Sequence, residues 1–202
     1  MSSGKKKNDK YKQILEAAIR VLARHGYQYA TISQIAREAG VADGTIYLYF
    51  KNKDDLLDHF FSYKTHQIFS RFKEEVDRAE DPLEKLNQLV YCHLSEFEQN
   101  KDMAIVYEVE TRRRLHLSDE RVKEMSKMYF DLVSEIVHQG QEEGKIRSHL
   151  QVHLVKQLII GAIDEVITTW LYSARQYRLA PMADSLVDMF VNGIGTAEVS
   201  SD

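Results

Sequence analysis

Only two prolines, Pro82 and Pro181, interrupt this chain of 202 residues, and its nine glycines are thinly spread. Proline is the residue a helix interior tolerates least, so long helices can run between those points. Apolar residues recur at helical spacing throughout. From Lys10 to His25 the stripe is Ile14, Ala17, Ala18, Val21 and Leu22, and Gly26 ends it. From Asn52 to about Ala79 it is Leu57, Phe61, Ile68, Phe72 and Val76. Asp81-Pro82 breaks the chain and opens the next helix, with proline at its first position. Five helices then follow: Leu83 to Gln99, Met103 to Leu115, Asp119 (capped by Ser118) to about Glu143, Val152 to about Tyr177, and Pro181 or Met182 to about Thr196. With 44% hydrophobic residues to fill a core, the expected fold is all-α, with about nine helices.

The stretch from Thr31 to Lys53, TISQIAREAGVADGTIYLYFKNK, is built differently from the rest. Thr31 can take an orphan backbone N–H at a helix start, and Ile32, Ile35, Ala36 and Ala39 share one face behind it. Gly40 stands where a helix ends in a left-handed residue. A second short helix runs from about Ala42 to Tyr49, and Asn52 caps the long helix after it, with Asp54 and Asp55 in its first turn. The arrangement is a helix-turn-helix. Its second helix spends Ile46 and Phe50 inward and leaves Gly44, Thr45, Tyr47 and Tyr49 for another surface. Such a helix enters a major groove, where glycine lets backbone approach, threonine offers a hydroxyl and a methyl, and tyrosine reaches phosphate. An ordinary helical hairpin with exposed tyrosines fits the pattern of these residues too.

Charge supports the first reading. The net charge is −4, yet residues 1–53 hold ten Lys/Arg against four Asp/Glu and the remainder 17 against 27. A basic module beside an acidic body concentrates phosphate attraction at one end. Met1 to Asp9, with Lys5, Lys6 and Lys7 in a row, is expected to be a solvated tail, or else an arm that touches DNA. No stretch approaches the 18 or so apolar residues of a membrane span, no charged-then-apolar leader opens the chain, and the single cysteine, Cys92, cannot form an internal disulfide. A cytoplasmic protein is expected.

An enzyme needs a nucleophile, base or metal constellation. Eight histidines are present, but the HExxH, CxxC and GxSxG patterns are missing. His149 and His153 are four apart, His59 and His66 two turns apart, and Asp164-Glu165 sits in an apolar helix; exposed or capping histidines and a paired carboxylate account for these, so no catalytic residue, metal or cofactor is expected. A pure interaction module leaves the basic quarter of the chain unexplained. In the body, Phe69, Phe72, Phe97, Tyr107 and Trp170 could line a ligand cavity or be plain core, and the run Arg112-Arg113-Arg114 could be solvated surface or a site for an anionic headgroup. Leu154, Leu158, Ala162, Leu186 and Phe190 exceed what one bundle face needs; they either complete the core or pack against a second copy.

Gly44, Thr45, Ile46, Tyr47, Tyr49, Phe50, Asn52, Lys53, Asp54 and Leu56, preceded by Ile14 to Ala18, Gly26, Thr31, Ile35, Ala36, Gly40 and Val41, resemble the signature of the TetR family of bacterial repressors, over about the first quarter of the chain. The resemblance implies a DNA-binding domain over residues 1–53 and a ligand-binding and dimerisation domain over 54–202. It implies DNA contacts from Thr31, Ser33, Gly44, Thr45, Tyr47, Tyr49 and Lys53, and a homodimer through the last two long helices, which suits a palindromic operator. The stretches NKDMAIVYEVETRRRL and EEGKIRSHLQVHLVKQLIIGAIDEVITTWL are similar to the fatty-acid-degradation repressors within that family. Their likeness implies a long-chain acyl-CoA effector, with Arg112 meeting the CoA phosphates, and no cofactor. The other function the family allows is repression of an efflux pump, relieved by a drug or another hydrophobic ligand.

Overall fold

The computed structural model describes the backbone of residues 2–116, 120–175 and 177–193, and the side chains of all of these except 2–7, 110–116 and 120–126. Among the described residues there are nine α-helices and no strand: α1 (Ser2–Tyr29), α2 (Ile32–Glu38), α3 (Asp43–Tyr47), α4 (Lys53–Val76), α5 (Pro82–Gln99), α6 (Lys101–His116), α7 (Glu120–Glu142), α8 (Val152–Tyr172) and α9 (Met182–Asn192). The all-α expectation holds. The helices gather into two compact units, residues 1–69 with 100–128 and residues 70–99 with 129–202.

The first unit is built on α1, against which α2 and α6 both pack. Its core joins Ile14, Leu15, Ala18, Val21 and Leu22 to Ile35, Ala36, Ile46, Phe50, Leu57, Phe60, Phe61 and Ala104, all buried. α6 is therefore a partner of α1, not only a helix of the body. Polar ties fix the edges: Gln13 Nε2 donates to the Ala39 carbonyl at 2.8 Å, Arg20 and Arg24 grip Glu38, and Lys64 pairs with Glu16. Buried Thr65 on α4 and Tyr107 on α6 share a hydrogen bond of 2.5 Å between their hydroxyls.

In the second unit α5 packs against α8 and α9. Leu86, Leu89, Val90 and Leu94 meet a core that includes Val133, Ile136, Val137, Ile159, Ile163, Ile167, Ala183 and Val187. Each buried side chain of this size is worth about 1.5–3 kcal/mol, against about 0–1 kcal/mol for a surface ion pair, so this core outweighs outer ties such as Arg178–Glu98. At the end of α7, Gly144 takes φ 71°, and the Gly140 carbonyl accepts from the N–H groups of both Lys145 and Ile146 at 2.8 Å. The Ile146 side chain then folds over Gly140, where a Cβ would stand 2.7 Å from its Cδ1.

Three helix ends differ from the sequence expectation. α1 begins at Ser2, so the backbone of the lysine-rich start is helical; lysine is a good helix former and no proline intervenes. α8 stops at Tyr172 instead of near Tyr177. Ser173 turns extended, its Oγ accepts from the Arg175 N–H, and the Trp170 indole N–H donates forward to the Tyr177 carbonyl at 2.9 Å. α9 ends at Asn192, before Gly193 at φ 77°. No helix among the described residues is long and apolar enough to cross a membrane.

Candidate nucleic-acid interface

α2 opens with a reciprocal cap. Thr31 Oγ1 accepts from the Gln34 N–H at 3.2 Å, and Gln34 Oε1 accepts from the Thr31 N–H at 2.8 Å. Gly40, at φ 62°, lets the chain reverse after α2, and the Val41 N–H closes the turn on the Ala36 carbonyl at 2.9 Å. The Ser33 hydroxyl donates to the Asp43 carboxylate, tying the start of α2 to the start of α3. Thr31 and Ser33 thus already have structural duties, while both stay exposed.

α3 is anchored by one buried side chain, Ile46, with buried Phe50 one turn on. Measured from that pair at 100° per residue, position 48 points directly away, position 44 lies near it and position 47 stands to the side; Gly44, Tyr47 and Leu48 are all exposed. Tyr47 is 58% and Leu48 78% exposed, and nothing lies within 4 Å of where a Cβ on Gly44 would stand. Thr45 is half-buried at the flank of this face. Tyr49 is half-buried too, its ring 6.3 Å from Tyr11 and 6.1 Å from Phe50, so it serves the packing of α1 on the turn. Leu48 was missed by reading residue chemistry; the helical period taken from Ile46 and Phe50 finds it.

Lys53 differs from expectation. Its ammonium is held at 2.5 Å by the Tyr27 carbonyl and at 2.8 Å by the Ala30 carbonyl, and lies 4.2 Å over the Tyr27 ring. It clamps the segment after the Gly26 bend to the start of α4, and does not reach outward as the expected phosphate contact requires. That helix start already has acceptors of its own. Asn52 Oδ1 accepts from the Asp55 N–H at 2.8 Å, Asp55 accepts from the Lys51 N–H, and Asp54 accepts from the Tyr27 hydroxyl at 2.6 Å.

The residues expected to meet a ligand divide between the units. Phe69 and Tyr107 belong to the first and Phe72, Phe97 and Trp170 to the second. Phe72 and Phe97 flank His93, at ring distances of 5.9 and 5.0 Å. His93 Nδ1 meets the Tyr129 hydroxyl at 2.9 Å. Burial lowers the His93 pKa to about 4, and burial, then the Asp164 carboxylate, raises that of Tyr129, so a neutral polar pair stands among aromatic rings. Burial likewise raises the Tyr107 pKa to a degree that the Thr65 hydrogen bond offsets only in part. Arg112, Arg113 and Arg114 lie on the α6 backbone with their side chains outside the described residues.

On α8, Leu154 and Leu158 are 57% and 62% exposed, one turn apart, and Ala162 and Phe190 are half-buried. Leu186 is only 5% exposed; it faces its own protomer's core and is poorly placed for a partner. His149, His153, His59 and His66 are exposed, as are Asp164 and Glu165, and no group of three His, Cys, Asp or Glu suited to a metal exists among the described residues.

Residues 14–60 match the family model of the bacterial regulatory proteins of the tetR family, and residues 61–193 that of the YsiA-like protein C-terminal region. The fatty acid metabolism regulator protein of Bacillus subtilis (strain 168) is 38% identical over 190 residues, 94% of this chain and 98% of that one. The crystal structure of the transcriptional regulator FadR from Bacillus subtilis in complex with stearoyl-CoA matches with a TM-score of 0.85 at 37% identity, covering 92% of this chain and 100% of that one. FadR from Bacillus halodurans matches with a TM-score of 0.84 at 36% identity and the same coverage.

Proposed function

Because this chain belongs to the TetR family of bacterial regulatory proteins, we propose that it represses fatty-acid degradation genes, binding palindromic operator DNA as a homodimer and leaving it when a long-chain acyl-CoA binds. The observation that carries this reading is the extent of the likeness: 38% identity runs through 94% of the chain, body as well as DNA-binding part. It works in the cytoplasm as a DNA-binding switch, not as an enzyme, and needs no cofactor.

Residues 1–53 form the DNA-binding part. The α3 face carries Gly44 and Thr45 to base edges and Tyr47 to a phosphate oxygen, with Thr31 and Ser33 facing the backbone at the start of α2. Tyr49 and Lys53 hold that face in position. Two copies meet through Leu154, Leu158, Ala162 and Phe190; covering apolar surface returns about 25 cal/mol per Å², and two leucines left more than half exposed on one helix favour such a cover. In the remaining 54–202, Phe69, Phe72, Phe97, Tyr107 and Trp170 are the apolar candidates for the acyl chain, and Arg112 is the cation for CoA phosphate.

Release is a shift between conformers. The ligand must bind the conformer that cannot span two half-sites better than the one that can; moving the balance from 99:1 to 1:99 takes a preference of about 10⁴-fold. α4 contributes residues to both units. The test is fluorescence anisotropy on DNA from the protein's own promoter region, at fixed salt because phosphate contacts make affinity salt-dependent, titrated with stearoyl-CoA, stearate or CoA. Release by stearoyl-CoA alone is expected. Tight binding indifferent to all three overturns the effector reading and leaves a repressor of another ligand; failure to bind that DNA overturns both.

A further inference from the structure

Leu48 is a leucine in the wrong place for a core. It is 78% exposed as the C-cap of α3, while Ile46 and Phe50 on either side of it are buried, and it stands one turn after exposed Gly44, with exposed Lys51 just beyond the helix. Gly44 has no side chain to hold a partner surface away, and space is open around it, so a surface that comes close at Gly44 comes within reach of Leu48. The surrounding module is cationic, with ten Lys/Arg against four Asp/Glu in residues 1–53, which suits a polyanion.

We propose that Leu48 is a specificity-determining residue that reads thymine in the major groove through its C5 methyl group. The inference rests on the DNA-binding reading above. A leucine side chain has neither donor nor acceptor, so it discriminates among base edges only by apolar contact. In the major groove the thymine methyl is the apolar group on display, set among the donors and acceptors of the other edges. Lys51, exposed just beyond the helix, then serves the adjoining phosphates, which position the helix without reading sequence.

The experiment is a double-mutant cycle. An operator is mapped by footprinting in the protein's own promoter region, and each thymine is replaced in turn by uracil, which removes only the methyl. Wild type and Leu48→Ala are titrated on every duplex and on a mixed-sequence duplex of equal length. One thymine per half-site is expected to cost wild type about fourfold on replacement, the worth of one buried methyl-sized group, and to cost Leu48→Ala nothing. Leu48→Ala should bind the operator more weakly than wild type and the mixed-sequence duplex equally well, and Leu48→Met, which keeps an apolar tip, should recover most of the loss. Equal uracil costs in wild type and Leu48→Ala, or operator binding by Leu48→Ala as tight as wild type, overturn the proposal. A wild-type protein that holds the operator no more tightly than the mixed-sequence duplex overturns the DNA-binding reading itself.

Discussion

Burial keeps the His93 imidazole neutral, with a pKa of about 4, while its Nδ1 is engaged with the Tyr129 hydroxyl. An unfolded chain would protonate the same ring near 6.5. Between those values the unfolded state binds the extra proton, so stability falls as pH is lowered through that window, by at most about 1.4 kcal/mol per pH unit. His93→Gln is therefore expected to lose less stability than wild type between pH 7 and pH 5 in urea unfolding; equal losses would show that the ring is not held neutral. Glu38 acts lower. Its pKa is depressed chiefly by the Arg20 hydrogen bond, so its contribution is present above the ordinary carboxylate range and lost below it, outside this comparison. At this scale the sequence was legible unevenly. His93 follows Leu86, Leu89 and Val90 at helical spacing and can be placed on the inward side of its helix. Lys53 could not, because its partners are two backbone carbonyls that no side-chain pattern announces.

Helix boundaries were readable wherever a single residue dictates the backbone. Gly26, Gly40 and Gly144 take positive φ where the chain turns, Thr31 and Asn52 cap, and Pro82 opens α5. They were not readable where the cause is tertiary, as at the end of α8, where an indole reaches seven residues ahead. The packing of α6 on α1 was equally hidden, since an apolar stripe does not name its partner. The turn after α7 gives the prediction for this scale. Gly140→Ala would put its Cβ 2.7 Å from Ile146 Cδ1, and overpacking of this kind costs about 1–3 kcal/mol. Thermal unfolding should show the loss, and adding Ile146→Val should restore part of it. An unchanged melting temperature for Gly140→Ala would mean that the turn yields freely.

For the whole molecule, the dimer proposal makes Leu158 the informative position, because it is 62% exposed and its replacement leaves the protomer's core untouched. Leu158→Glu is expected to give a folded monomer in sedimentation velocity, with operator affinity lowered at least tenfold, since one protomer offers a single recognition helix. A stable dimer would move the interface elsewhere. Function was legible from the first quarter of the chain because one short helix there is exposed on purpose-built residues, and legible in the body only by likeness, since aromatic side chains suited to a ligand are equally suited to a core. The clamp formed by Lys53 bears on how the complex would respond to electrolyte. A protein that docks on a duplex displaces the cations condensed there, about one for each phosphate it neutralises, and the slope of log affinity against log salt counts them. With Lys53 enclosed by carbonyls and Arg20 and Arg24 already matched by Glu38, three of the ten positive side chains in residues 1–53 are engaged within the module itself. The number of ions set loose is accordingly smaller than the module's basic composition suggests.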